Sequence, residues 1–156
     1  AQFADKLGAA SGKFFDSIDA LAEFLQQEGS TYGYCDPGLA GHFAQFDGLS
    51  FDTEFDAAKI NDYSFAITRA SAGIAESGTL MLKDSVTSAR LAALAPWIHV
   101  AVLTEADIVG TIGEAIQRFG DDPSIIFATG PSKTADVEGI LIEGVHGPGI
   151  QIALIL

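Results

Sequence analysis

The sequence predicts an α/β domain built on a largely parallel sheet with helices on both faces. Three observations carry this expectation. Short apolar runs suited to buried strands recur along the chain, segments of helical period lie between them, and no repeat, low-complexity block or Pro/Ser linker divides the 156 residues. At roughly 100–200 residues per domain, the length argues for one domain spanning residues 1–156. With 48% hydrophobic and 19% charged residues, the chain is too apolar to stay disordered.

The elements follow in order. Phe14, Ile18, Leu21 and Leu25 share one face of an amphipathic helix that Gly29 ends. Tyr32 to Cys35 suits a short strand, and Asp36-Pro37-Gly38 a turn. Residues 41–62 mix Phe, Asp and Gly without a period and read as irregular, with one short helix near Ala57. Ser64 to Thr68 reads as a strand. The stretch from Ile74 to Lys83 reads as apolar chain, a turn at Ser77-Gly78 and a second strand, which makes the sheet mixed. Val86 to Leu94 suits a short helix ended by Pro96. The unbroken apolar run Ile98–Leu103 is typical of a strand covered on both faces. Thr104 with Asp107 has the form of a helix start, and Ile108, Ile112, Ala115, Ile116 and Phe119 form the face of the helix expected to follow. Ser124–Ala128 is a further buried strand, Thr129–Glu138 a polar loop leading into a short helix or turn, Ile140–Ile142 a brief strand, and Ile150–Leu156 the last one.

Composition narrows the function. Eight Lys and Arg against 21 Asp and Glu leave a net charge of −13, a surface that repels nucleic-acid backbones and anionic lipid. Cys35 stands alone, so the chain forms no internal disulfide and holds no iron–sulfur cluster or thiolate zinc site by itself, which takes about four ligands. That usage fits a reducing compartment. AQFADKLGAASGKFF lacks the basic segment and long apolar run of a signal peptide, and IQIALIL is too short to span a bilayer.

In open α/β sheets, ligands bind at the carboxyl ends of strands, and three polar segments are expected there. In the first, Gly130, Ser132, Lys133, Thr134 and Asp136 follow a strand. They offer backbone amides, hydroxyls and an ammonium to an anion, or else form a turn in which Thr134 caps a helix with Asp136 in its first turn. A phosphate-binding P-loop is excluded, because Ser132 stands where Gly is needed before the Lys. In the second, Glu76 lies between apolar runs. It is either an acid/base or nucleophile at a cleft mouth, or a turn carboxylate accepting backbone N–H bonds. In the third, His146 sits in the glycine-rich loop Glu143–Gly149, either shuttling protons near neutral pH or bonding the loop backbone. Arg69 and Arg90 either clamp a carboxylate ligand or pair with acids of the chain. His99, inside an apolar strand, reads as a satisfied core histidine, His42 has no partner by spacing, and Cys35 reads as an inert thiol. The three histidines make no metal signature.

Together, FAITRASAGIAESGTLML, APWIHVAVLTEADIV, IIFATGPSKTADVEGILIEGVHGPG and the closing apolar strand resemble the LUD domain family, in its lactate utilisation protein C branch, over roughly Phe65–Leu156. AESGT, TGPSKTAD and GVHGPG in this order and spacing carry the resemblance. It implies a three-layer α/β/α fold like that of CoA transferases, ribose-5-phosphate isomerase and glucosamine-6-phosphate deaminase. It also implies a cytoplasmic role in oxidising L-lactate to pyruvate beside iron–sulfur partner proteins. On that reading the loops bind a small carboxylate or phosphate-bearing ligand, held by Lys133, residues 130–134 and Arg90, with Glu76 and His146 moving protons. Two alternatives stay open. One is a stand-alone enzyme of CoA-transferase or sugar-phosphate-isomerase type, since Glu76-Ser77-Gly78 has the Glu-x-Gly form of some CoA-transferase nucleophiles. The other is a non-catalytic assembly factor.

Overall fold

The structure, a computed structural model, describes residues 1–135 and 139–156. A six-stranded, wholly parallel sheet forms its centre. Its strands are β1 (Lys13–Phe15), β2 (Tyr32–Cys35), β3 (Ser50–Asp52), β4 (Phe65–Arg69), β7 (Ile98–Leu103) and β12 (Ile150–Ile155), in the order β1-β12-β7-β4-β2-β3. The runs SFAIT, IHVAVL and IQIALI supply three of its four interior strands, as their unbroken apolar character predicts.

Side chains alternate between the two faces of this sheet. Ile98, Val100 and Val102 pack with Leu21, Leu25 and Phe43, under helices α2 (Ile18–Gln27) and α3 (Ala40–Phe43). On the other face, Ala101 and Leu103 pack with Phe3 and Leu7 of α1 (Gln2–Ala9) and Ala93 of α4 (Arg90–Leu94).

The antiparallel component expected from the turn at Ser77-Gly78 is present, but as a separate sheet. It joins β8 (Ile108–Val109), β5 (Ala72–Ile74), β6 (Thr79–Lys83) and β9 (Ile125–Ala128) in the order β8-β5-β6-β9. Leu80 and Leu82 of β6 pack into the same core as α1 and α4. Gly78 closes the β5–β6 turn at φ +68°, and a Cβ there would collide with the backbone of Leu7.

Several expectations are corrected. Phe14 belongs to edge strand β1, and the helix starts only at Ile18, where Ser17 accepts from Ala20 N at 3.3 Å. The helix expected from Ile108 gives way to strand β8, because Ile108 and Val109 pair in parallel with Gly73 and Ile74. The helix proper, α5 (Ile112–Ile116), is short, and Ile112 and Ile116 are about half exposed. Val86–Ala89 is turn rather than helix. Lys133–Ala135 forms β10 and pairs antiparallel with β11 (Leu141–Glu143) in a two-stranded ribbon. Thr134 is therefore a strand residue, and Asp136 lies outside the described residues. No described helix is long and apolar enough to cross a membrane.

Candidate functional site

The chain crosses from the parallel sheet into the second sheet twice, and a cleft forms where it crosses. The first crossing follows β4. Ala70 N still donates to Val102 O at 2.8 Å, while Ser71 N already donates to Met81 O at 2.8 Å. The second follows β7. There Thr104 and Asp107 form the expected capping box around a turn of 3₁₀ helix, Glu105–Asp107, before β8 begins. The cleft, of about 550 Å³, opens at the carboxyl ends of β4, β7 and β12. Leu39 and His42, which follow β2, close its side. Strand order reverses between β2 and β4, so this is the topological switch point at which parallel α/β sheets bind ligands.

Three of the chain's eight Lys and Arg line this cleft: Arg69, Lys83 and Arg118. Arg69 donates to Gly38 O at 3.0 Å and stands 3.6 Å from Asp36. The Asp36-Pro37-Gly38 turn presents both acceptors, with Asp36 Oδ1 accepting from Gly38 N at 2.8 Å. The Arg118 guanidinium donates to Ala106 O at 3.1 Å and lies 3.7 Å from Asp107. Lys83 Nζ donates to Arg118 O at 3.0 Å. Asp107 is the one acidic side chain in the described lining, so the side chains of the cleft carry a positive excess in a chain of net charge −13. Guanidinium forks beside an ammonium suit a carboxylate or a phosphate. A cleft concentrates such a local field even against the sign of the whole surface.

Apart from Arg69, the described ligand-binding and proton-transfer candidates singled out from sequence do not gather into this site. Glu76 is exposed, and its Oε1 accepts from Ile112 N at 2.7 Å, capping the first turn of α5 beside Thr111. Lys133 donates from Nζ to Ala10 O and to Ser11 Oγ, both at 3.1 Å, and lies 3.6 Å from Glu143. Its charge thus serves the C-terminal end of α1. Arg90 grips Asp84 through Nε at 3.0 Å and through Nη2, a bidentate pair within the chain. Gly130, at φ +72°, is pressed against Ala10 O. Of the described candidates, Gly130, Ser132 and His146 share a hollow, of about 270 Å³, and it sits beside Gln151, where β12 begins. Because Lys133–Ala135 is a strand, no helix N-terminus among the described residues directs its amides toward an anion there.

Two readings from sequence hold. His99 is fully buried: its Nδ1 donates to Gln151 Oε1 at 3.0 Å and its Nε2 accepts from Thr68 Oγ1 at 2.9 Å. Gln151 Nε2 donates to His99 O and Ile152 O, which turns Oε1 toward the ring and sets this tautomer. Burial pushes the imidazole down to about 4, so His99 is neutral near pH 7. Cys35 is buried, and burial with the nearby Asp36 charge pushes its thiol up to about 12. Among the described residues no group of three or more His, Cys, Asp or Glu could hold a metal ion.

The cleft itself was only half visible in sequence. Arg69 was a candidate clamp, and the rule of strand carboxyl ends reaches it, together with Thr104. Arg118 lies past a helix, His42 in a stretch without period, and Lys83 faces the cleft only because β6 belongs to a second sheet.

Comparison with known proteins follows the fold. The LUD domain family profile matches residues 39–156, beginning well before Phe65 and including the turn that carries Leu39 and His42. Lactate utilization protein C of Bacillus subtilis strain 168 is 33% identical over 111 residues, covering 66% of this chain and 46% of that protein. The protein of the same name from Anoxybacillus flavithermus is 38% identical over 104 residues, covering 60% of this chain and 47% of its own length. The chain thus spans about half or less of the curated relatives it matches. A crystal structure of a DUF162 family protein from Deinococcus radiodurans shares the fold, with a TM-score of 0.71 at 19% identity, over 99% of this chain and 94% of that one.

Proposed function

The chain belongs to the LUD domain family, and on that premise we propose that it works in lactate utilisation as a subunit that binds an organic anion in the cleft at the ends of β4, β7 and β12. The observation that carries this reading is the convergence of Arg69, Lys83 and Arg118 on a switch-point cleft in a strongly acidic chain. The names of the relatives supply the physiological setting.

Oxidising L-lactate to pyruvate releases an electron pair and two protons. Cys35, single and buried, offers no set of thiolates for a redox cluster, which is compatible with the family resemblance's implication that iron–sulfur partner proteins accept the electrons. The cleft orients the anion through its carboxylate, and His42, Ser71, Thr104 and Asp107 line it with side chains that can exchange hydrogen bonds with a neighbouring hydroxyl. Glu76, engaged at α5, gives no support to a covalent CoA-transferase reading.

The test is lactate-dependent growth of a strain lacking the gene, complemented with the Arg69→Ala, Arg118→Ala double variant. Growth fails on this reading while the variant still accumulates as folded protein. Full rescue by the folded double variant overturns it.

A further inference from the structure

We propose that the cleft at Arg69 and Arg118 is built for an amphiphilic organic anion larger than lactate, with a charged head on the guanidiniums and an apolar body along the aliphatic wall. This rests on the anion-binding reading above and names the ligand class of the same site. The first argument is size. The cleft holds about 550 Å³. A three-carbon hydroxy acid displaces four or five waters, roughly 130 Å³ at about 30 Å³ per water. Lactate alone would leave most of the space to solvent, whereas pockets of about 300–1,000 Å³ are the size that takes drug-sized ligands.

The second argument is the lining. Beside the cations, Leu39, Val86, Val102, Leu103 and Leu156 face the same cleft. Val86 and Leu156 keep 38% and 39% of their surface exposed. Aliphatic wall left open to water next to fixed cations is complementary to a molecule carrying both characters. A site for a small hydrophilic acid alone has no use for that wall.

The third argument is anchorage. Each guanidinium is braced on one side by backbone carbonyls, Arg69 by Gly38 O at 3.0 Å and Arg118 by Ala106 O at 3.1 Å. Both remain partly exposed, with side-chain accessibilities of 46% and 37%. The heads are therefore held in place before a ligand arrives, which lowers the ordering cost of binding.

The test is calorimetric titration of the full chain with linear carboxylates from acetate to octanoate, and with L-lactate. Each methylene buried against the wall raises affinity about fourfold until the cleft is filled. L-lactate falls with the short acids. Arg118→Ala weakens every member of the series by about tenfold or more, the loss expected for a charge-assisted hydrogen bond. If acetate, octanoate and L-lactate bind equally, the wall plays no part and this proposal fails while the anion-binding reading survives. If no member binds, both fail. A rise with chain length that Arg118→Ala leaves untouched places the ligand elsewhere and also overturns the proposal.

Discussion

Arg69, the last residue of β4, holds its guanidinium 3.6 Å from the buried carboxylate of Asp36, the first residue after β2. The pair bridges the two strands between which the sheet's order reverses, and its Arg69 lines the cleft. Asp36 is hydrogen-bonded by Gly38 N, so it does not depend on Arg69 alone. Arg69→Ala is therefore expected to lower stability by no more than about 1 kcal/mol, because the guanidinium is half in solvent. It should weaken anion binding by about tenfold. Denaturant unfolding and calorimetry on the same variant separate the two effects.

Lys133→Met is expected to behave in the opposite way. The ammonium joins the ribbon to the end of α1 through Ala10 O and Ser11 Oγ. Its loss should lower thermal stability modestly, by about 0.5–1 kcal/mol for an exposed polar contact. Anion affinity should not change. A large loss of affinity would return the site to the loop before β10.

The buried His99 makes stability depend on pH. Its folded value is lowered from 6.5 to about 4, so the unfolded chain binds the extra proton first as pH falls. The stabilisation is complete above about pH 6.5, erodes as pH drops toward 4, and is then exhausted. Its full extent is about 3 kcal/mol. Denaturant midpoints measured between pH 7 and 4 should show this slope, and His99→Gln should remove it while lowering the plateau.

Cys35 should be silent toward thiol reagents in the native state. Burial and the neighbouring Asp36 hold the thiol protonated, near 12. A chromogenic disulfide at pH 8 is expected to react only on the timescale of unfolding. Prompt stoichiometric reaction would mean that the β2 end opens readily.

Gly78→Ala should be among the most damaging single changes. The position needs φ +68°, and the added Cβ would meet the Leu7 backbone. A cost above about 2 kcal/mol follows from strain plus displacement of α1, read as a drop in the unfolding midpoint.

Much of the fold was legible because the central strands are buried on both faces. SFAIT, IHVAVL and IQIALI need no partner information to be recognised, and the parallel sheet follows from them. The failures share a physical cause. Ile108 fits a helical period with Ile112 and Ala115, yet Gly73 and Ile74 offer Ile108 and Val109 a strand edge, and tertiary pairing outweighs local period. Residues Lys133–Ala135 look like a loop before a helix, yet Leu141–Glu143 pair with them across a short connection. The turn expected at Ser77-Gly78 is present, but Glu76 and Lys133 are used to fasten α5 and the end of α1. The three cations of the cleft come from three separate stretches, and a linear reading cannot see them meet.

The central claim is that the cleft at the ends of β4, β7 and β12 is the anion site. Amide chemical-shift mapping of the isotope-labelled chain, titrated with hexanoate and with L-lactate, tests it most directly. The account predicts that shifts concentrate at Arg69–Ser71, at Thr104–Asp107 and around Arg118. Shifts confined to Gly130–Lys133 and Val145–Gly147, with the cleft unperturbed, would contradict it.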